Sequence, residues 1–253
     1  MSIEVDLSGQ VALVSGAGRG IGAAIALSLA RCGADVALGA RSAAQLEAVA
    51  TQIEALGQRA LVVQADLREP EAAESMVQRT QAGLGGPQIL VHAAGVERHK
   101  ATLETSDEDY AAVLDTNLGS CFRLCRAAGR TMIEDSGGSI LLIASVGAFV
   151  AMPRNAPYHA SKAGMVMLAK SLAVEWARHG IRVNALCPGY VQTAMLDSLL
   201  GDEQRKERFR KMIPLRRFAD PDEIGRLAAV LVSPLSSYIT GTAIVADGGI
   251  SAS

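Results

Sequence analysis

A tyrosine and a lysine lie four residues apart in the segment YHASK, residues 158–162. Four residues of α-helix make about one turn, so the side chains of Tyr158 and Lys162 would lie on one face. A phenol with its ordinary pKa of about 10 is a weak base at neutral pH, and a neighbouring ammonium stabilises its phenolate. The spacing therefore predicts that Lys162 lowers the pKa of Tyr158 and prepares it for proton transfer.

Ser145 lies 13 residues before Tyr158, just after the apolar segment SILLIA. If that segment is a buried strand, Ser145 stands at its end, where its hydroxyl can hydrogen-bond the same substrate oxygen as the tyrosine. These residue types suit hydride transfer to or from a carbinol carbon. Tyr158 would protonate the alkoxide formed when a ketone is reduced, or accept the proton when the alcohol is oxidised.

The segment SGAGRGIG, residues 15–22, joins an apolar segment to a helical pattern. Glycines at this spacing permit a tight turn and a close approach of the backbone to a pyrophosphate. The helix that follows offers free N–H groups to the phosphates. This position between a strand and a helix predicts a dinucleotide site.

The second predicted strand indicates which dinucleotide binds. NAD sites place a carboxylate at the end of that strand, but here the end reads Gly39-Ala40-Arg41, and Asp35 lies at the opposite end. Arg41, helped by Arg19, would instead pair with a 2′-phosphate. The sequence predicts NADP(H), with NAD(H) as the open alternative, and Asp66 is expected near the adenine.

Seven nearly continuous apolar segments alternate with helical patterns along the chain. The strands are predicted at 11–15, 36–40, 60–64, 88–92, 139–144, 181–186 and 242–246, and the helices at 21–32, 43–56, 70–83, 107–134, 157–178 and 221–232. Nearly continuous apolar segments are typical of strands that are buried on both faces of a sheet. We therefore expect an α/β fold: one Rossmann-type domain over 1–253, with a doubly wound parallel sheet of seven strands, helices on both faces and an irregular, charged substrate loop or lid at about 188–220.

Composition excludes several classes of function. A net charge of -2 over 253 residues gives no electrostatic footprint for nucleic acid or for an anionic membrane, and no apolar run is long enough to span a bilayer. The four cysteines show neither CxxC nor metal-ligand spacing, so no metal site is expected. They are interpreted as reduced, buried thiols of a cytoplasmic protein.

Several motifs in a fixed order resemble the classical short-chain dehydrogenase/reductase family, and most closely its 3-oxoacyl carrier-protein reductase-like members. They are SGAGRGIG, HAAG at 92–95, Asn117, Ser145 in IASVGA, YHASK and PGYVQT at 188–193, and the resemblance extends from residue 8 to ADGG at 246–249. It implies a catalytic tetrad of Asn117, Ser145, Tyr158 and Lys162, in which Asn117 would hold a water that passes protons to Lys162. It also implies a homotetramer with the 157–178 helix and the last strand near its interfaces.

Three positions depart from the family pattern. His92 and Ala93 replace the usual asparagines of the HAAG turn, where substitution is expected to be tolerated. Val174 stands where reductases that dock a carrier protein often have an arginine, which argues against a carrier-protein substrate.

The predicted contacts extend beyond the tetrad. The cofactor is expected to contact Gly16, Gly18, Arg19, Gly20, Ile21, Gly22, Arg41, Asp66, Leu67, Ala94, Gly95, Tyr158, Lys162, Pro188, Gly189, Val191 and Thr193. The substrate is expected to contact Ser145, Phe149, Tyr158, Tyr190 and Met195. Residues 205–217 carry seven Lys or Arg and one Glu, which indicates either an anionic substrate or a solvated lid helix.

The leading hypothesis is an NADP(H)-dependent enzyme that interconverts a small-molecule ketone and a secondary alcohol, with 3-oxoacyl and keto-acid substrates included. An NAD-dependent sugar or polyol-acid dehydrogenase shares the fold and is the first rival. A nucleotide-binding sensor without turnover is the second, although such a protein would be free to lose the tetrad. Isomerase or lyase chemistry on a sugar nucleotide would need a longer C-terminal substrate domain.

Overall fold

The computed structural model describes residues 4–135 and 137–252, and its centre is a parallel sheet. The strands are β1 (Val11–Ser15), β2 (Asp35–Ala40), β3 (Ala60–Gln64), β4 (Ile89–His92), β5 (Gly138–Ile143), β6 (Ile181–Pro188) and β7 (Ala243–Ala246). Their order across the sheet is β3-β2-β1-β4-β5-β6-β7, and every neighbouring pair is parallel. The strand order reverses between β1 and β4, where a fold of this kind opens a ligand crevice.

Helices cover both faces of this sheet. They are α1 (Gly20–Arg31), α2 (Ala43–Ala55), α3 (Ala72–Leu84), α4 (Asp107–Leu114), α5 (Ser120–Glu134), α6 (Ala156–Trp176), α7 (Ala194–Leu200), α8 (Glu203–Met212) and α9 (Pro221–Val232). The pattern predicted as one helix over 107–134 is α4 and α5 joined by a π-helical turn, Asp115–Gly119. The predicted α/β class, strand count and helical layers are confirmed.

Alternate residues of each strand enter opposite cores, as the two-residue period of a strand requires. Leu13 of β1 belongs to the same core cluster as Met76, Leu124 and Trp176 from α3, α5 and α6. Its neighbour Val14 packs on the other face with the side chains of α1, α2 and α9. Because both faces are covered, the strands contain few polar residues, and this explains their nearly continuous apolar sequence.

The segment 188–220 is more regular than the sequence predicts. Thr193 caps α7 by accepting a hydrogen bond from the N–H of Leu196, and Asp202 caps α8 by accepting one from the N–H of Arg205. Short capped helices of this kind lack a long apolar stripe, which is why hydrophobic periodicity does not detect them.

The cysteines follow their predicted environment with one exception. Cys121, Cys125 and Cys187 are buried and Cys32 is only partly covered, and all four are free thiols. Within the described residues, no helix combines the length and apolar character that crossing a bilayer would need.

Candidate active site

A cleft of about 920 Å³ opens at the carboxyl ends of the central strands. The glycine turn, the ends of β2, β3 and β4, and the start of α7 contribute to its walls. Tyr158 and Lys162 of α6 line the same cleft as Arg19 and Arg41. The cleft is therefore long enough to join the predicted catalytic pair to the predicted phosphate-binding arginines.

The glycine turn fits a pyrophosphate. Gly16 has φ +72°, and a Cβ built on it would lie 2.7 Å from the backbone N of Ala94, so a larger residue would push the turn away from the loop after β4. A Cβ on Gly22 would lie 2.2 Å from the carbonyl oxygen of Gly16. Arg19, which precedes α1, provides no side-chain cap, and the first turn contains no acidic residue. The first N–H groups of α1 are thus left for an anionic ligand.

The end of the cleft beyond the glycine turn is basic. Arg19, Arg41 and Arg68 line it together with Asp66. Arg68 forms an ion pair with Asp66, and this hydrogen bonding lowers the pKa of the Asp66 carboxyl to about 2. Arg68 was not predicted from the sequence as a residue of the site. The signal that could have found it is its position two residues after Asp66, which was predicted. Asp35 lies at the far end of β2 and accepts a 2.8 Å hydrogen bond from Arg59, so it is a structural residue.

The catalytic pair is close, but Lys162 is not aimed at the phenol oxygen. Its Nζ donates a 2.8 Å hydrogen bond to the carbonyl of Ile143 and lies 5.6 Å from the centre of the Tyr158 ring. Burial lowers the pKa of Lys162 to about 8 and raises the pKa of Tyr158 to about 12. For the chain alone, desolvation outweighs an ammonium that donates elsewhere, so Lys162 by itself does not lower the pKa of Tyr158. A lowering by Lys162 together with the positive charge of an oxidised nicotinamide stays a prediction.

Ser145 follows β5 by two residues and faces Tyr158. Its Oγ accepts a 3.0 Å hydrogen bond from the N–H of Gly147, which fixes the hydroxyl in place. After burial, the hydrogen bond between Ser145 and Tyr158 is the main influence on the pKa of the phenol, and it opposes the rise. Ser145 and Tyr158 are thus neighbours, and their shared binding of a substrate oxygen stays a prediction.

Asn117 holds the loop after β4 against α6. Its Oδ1 accepts from the N–H of Val96 at 2.8 Å, and its Nδ2 donates to the carbonyl of Val96 and to the Ser161 hydroxyl, both at 2.9 Å. Ser161 in turn donates to the carbonyl of Tyr158 at 2.7 Å. Asn117 lies in the π-helical turn, a feature that recurs at functional sites. These contacts define a positioning residue, and the water relay stays a prediction.

His92 connects two strands below the cleft. Its Nδ1 lies 2.9 Å from the Ser15 hydroxyl, whereas its Nε2 is buried and has no hydrogen-bond partner in the described residues. Burial, and then the charge of Lys162, lower the pKa of His92 to about 3. The imidazole is therefore neutral at physiological pH.

Several predicted contacts lie away from the lining of the cleft. Val191 is buried in the core. Pro188 and Gly189 also lie outside the lining, and the N–H of Gly189 donates to the carbonyl oxygen of Ala246. Phe149 is 53% exposed, and Tyr190 packs edge-on against Phe209 with ring centres 5.2 Å apart. The predicted contacts that do line the cleft, besides those already placed there, are Gly18, Gly20, Ile21, Leu67, Ala94, Gly95, Thr193 and Met195.

Comparison with known proteins identifies the class. Residues 16–251 match the family model described as enoyl-(acyl carrier protein) reductase. Oxidoreductase UcpA of Escherichia coli K12 is 41% identical over 96% of this chain and 95% of its own. A 3-oxoacyl-[acyl-carrier-protein] reductase of Synechocystis is 36% identical over 96% of this chain and 98% of its own.

Solved structures agree over nearly the whole chain. A protein of Sinorhizobium meliloti 1021, provisionally named a short-chain alcohol dehydrogenase, gives a TM-score of 0.96 at 42% identity and covers 99% of this chain and 100% of that one. An Agrobacterium tumefaciens protein with bound NADP is provisionally named a 2-deoxy-D-gluconate 3-dehydrogenase. It gives a TM-score of 0.92 at 34% identity and covers 100% of this chain and 100% of that one. A 7α-hydroxysteroid dehydrogenase complexed with NADH gives 0.94 at 29% identity and covers 98% of each chain.

Fold, cleft and relatives define an oxidoreductase that acts on CH–OH groups of small molecules with a nicotinamide cofactor. The chain belongs to the classical short-chain dehydrogenase/reductase family. Its relatives bear the names of enzymes with different substrates, so family membership alone does not select one.

Proposed function

We propose that this protein is an NADP(H)-dependent enzyme that interconverts a ketone and a secondary alcohol. One observation supports the preference for NADP(H) over NAD(H). Arg41 lines the cleft just after β2, whereas Asp35 lies at the opposite end of that strand, hydrogen-bonded to Arg59. A guanidinium pairs with a 2′-phosphate, whereas a carboxylate at that position would repel it. Arg19 adds positive charge along the same wall, whereas the charge of Arg68 is balanced by its ion pair with Asp66.

The residues of the cleft divide the chemistry between them. The glycine turn and the N-terminus of α1 would hold the pyrophosphate, with the nicotinamide supplying or accepting the hydride. Tyr158 and its neighbour Ser145 would bind the substrate oxygen, and Tyr158 would give or take its proton. Lys162 would stabilise the phenolate when a further positive charge enters the site and offsets the desolvation of Tyr158.

We propose residues 188–220 as the substrate lid of a single catalytic unit. Leu196, Leu200, Ile213 and Phe218 give this segment a small core of its own. Of its basic residues, Lys206 pairs with Asp197, Arg210 with Glu203 and Glu207, and Arg217 with Glu223. These pairs favour the solvated-lid interpretation over an anion-binding surface.

A homotetramer is the assembly that we propose. A groove between α4, α5 and α6 is lined by apolar side chains that include Leu114, Phe122 and Met167. On α6, Met167 is 59% exposed and Val174 is 85% exposed. Apolar area of this kind on a helix face is typical of a subunit interface. The cytoplasmic location stays a prediction.

The cofactor proposal is tested by fluorescence titration of NADPH and NADH into the wild type and the Arg41→Asp variant. Charge-assisted hydrogen bonds to the 2′-phosphate would be lost and repulsion gained, so we expect NADPH affinity to fall by about 10- to 100-fold while NADH affinity is retained or improved. Arg178→Asp, at an exposed position outside the cleft, is the matched control and should leave both affinities unchanged.

Wild-type protein that binds NADH as tightly as NADPH would refute the NADP(H) preference. That result would favour the rival function, an NAD-dependent sugar or polyol-acid dehydrogenase, and would direct the substrate search to alcohols and polyols.

A further inference from the structure

Asn155 occupies the N-cap position of α6 but does not cap the helix. Asparagine at this position commonly accepts a hydrogen bond from an N–H of the first turn. Here Nδ2 instead donates to Glu97 Oε2 at 3.2 Å, and the residue is 5% exposed. The preceding Arg154 has φ +68°, an unfavourable conformation for arginine. The local backbone therefore directs the Asn155 amide to Glu97 rather than to its own helix.

The Glu97–Asn155 pair leaves two acceptor oxygens without a hydrogen-bond donor in the described residues. Glu97 forms no ion pair in residues 4–135 and 137–252, and only its Oε2 has a hydrogen-bond partner there. The adjacent Arg98 is engaged by Asp109 at 3.0 Å. The other atom of the buried amide, Asn155 Oδ1, has no partner in the described chain. Buried or partly buried acceptors of this kind normally receive a hydrogen bond.

Glu97 lines the same cleft as the catalytic pair. Tyr158, Lys162 and Met195 contribute to the lining with it. Burial is the main reason that the pKa of Tyr158 is high, and the Glu97 carboxylate adds to the rise. The same two causes, in the same order, raise the pKa of Tyr190 to about 12. The Glu97 carboxylate thus contributes to the raised pKa of both tyrosines.

We propose that Glu97, oriented by Asn155, is a specificity-determining residue that accepts a hydrogen bond from a hydroxyl or ammonium group on the carbon next to the reacting carbinol. This inference rests on the proposed function and narrows its substrate class. A carboxylate in place of that group, attached directly to the carbinol carbon, would meet the like charge of Glu97, whose one described hydrogen-bond donor is the neutral Asn155 amide, so such substrates are disfavoured. Keto acids whose carboxylate adjoins the carbonyl are therefore poor substrates.

A matched series of alcohols tests the proposal with the whole enzyme and its preferred coenzyme. The compounds are 2-butanol, 2,3-butanediol, 3-amino-2-butanol and lactate, which share CH3–CHOH– and differ in the neighbouring group. We expect kcat/KM to favour the diol or the amino alcohol over 2-butanol by about 10-fold or more, as a hydrogen bond to a charged acceptor allows. Lactate should be the poorest of the four.

Three variants identify the mechanism of the preference. Glu97→Met removes the acceptor and should abolish discrimination between diol and 2-butanol. Glu97→Gln keeps a neutral acceptor, so it should retain a preference for the diol but lose one for the ammonium compound, and it should improve lactate. Asn155→Ala removes the hydrogen bond that orients Glu97 and should weaken the preference for the diol. NADPH affinity should not change, because the Asn155 side chain does not cap α6. Glu54→Gln, exposed on α2, is the control.

Affinities of the four compounds for the coenzyme-loaded enzyme are measured alongside turnover, so slow turnover does not hide a preference. Equal kcat/KM and equal affinity for diol and 2-butanol in the wild type would overturn the proposal, as would a wild type that prefers lactate. Loss of coenzyme binding would instead overturn the proposed function itself. The two failures are distinguished by the NADPH titration.

Discussion

Replacing His92 by asparagine, the residue usual in related turns, should change how stability depends on pH. The folded imidazole has a pKa of about 3, because it is buried and lies near Lys162, against about 6.5 in an unfolded chain. Below about pH 6.5 the unfolded state therefore binds a proton that the folded state does not. The contribution of His92 to the free energy of unfolding is therefore fully present above about pH 6.5. It is lost by about 1.4 kcal/mol per pH unit as the pH falls toward about 3.

The assay is urea unfolding of the wild type and His92→Asn at about pH 7 and about pH 5, at one protein concentration. Trp176 is the only tryptophan in the sequence and is 9% exposed, so its fluorescence reports unfolding of the core. Between these two pH values the wild type should lose about 2 kcal/mol more free energy of unfolding than the variant. Titration of the carboxylates affects both proteins equally and cancels in the difference.

An identical pH dependence in the wild type and His92→Asn would refute the buried, neutral imidazole. His179→Asn is the control, because His179 lies in the 3₁₀ turn that follows α6, outside the lining of the cleft, and its replacement should leave the wild-type dependence in place. A steeper loss in the variant than in the wild type would contradict the sign of the effect.

Two further predictions concern the catalytic pair and the assembly. Tyr158→Phe should lower turnover by about 100-fold or more while the thermal midpoint stays close to the wild type, and activity that survives the change would remove Tyr158 as the proton donor. Met167→Glu should shift sedimentation of the oligomer toward smaller species, because it places a charge in the apolar groove. Met212→Glu is the control, because Met212 is 58% exposed against 59% for Met167, and it should leave the sedimentation unchanged. Equal sedimentation of the two variants would contradict the proposed interface.

The sequence predicted those features that depend on short-range spacing. Strands buried on both faces read as continuous apolar segments, and all seven were located to within about two residues. The glycine turn and the shared face of Tyr158 and Lys162 follow from local backbone geometry, and the structure reproduces both.

Features without a periodic signal were missed. The π-helical turn at Asp115–Gly119 interrupts a pattern that reads as one helix, and α7 and α8 depend on caps rather than on an apolar stripe. No spacing rule singles out the Ser161 hydroxyl inside YHASK, although it joins Asn117 to the tyrosine helix.

The sequence by itself determined the doubly wound sheet, the dinucleotide turn and the reaction class, because each is encoded by residues that are close together along the chain. Only the tertiary structure decided the electrostatics of the cleft. Glu97 meets Asn155 across 58 residues, and His92 meets Ser15 across 77, because parallel strands bring their carboxyl ends to one edge of the sheet. The pKa of Tyr158 likewise depends on how deeply packing buries the phenol, and this burial outweighs the lysine one helical turn away.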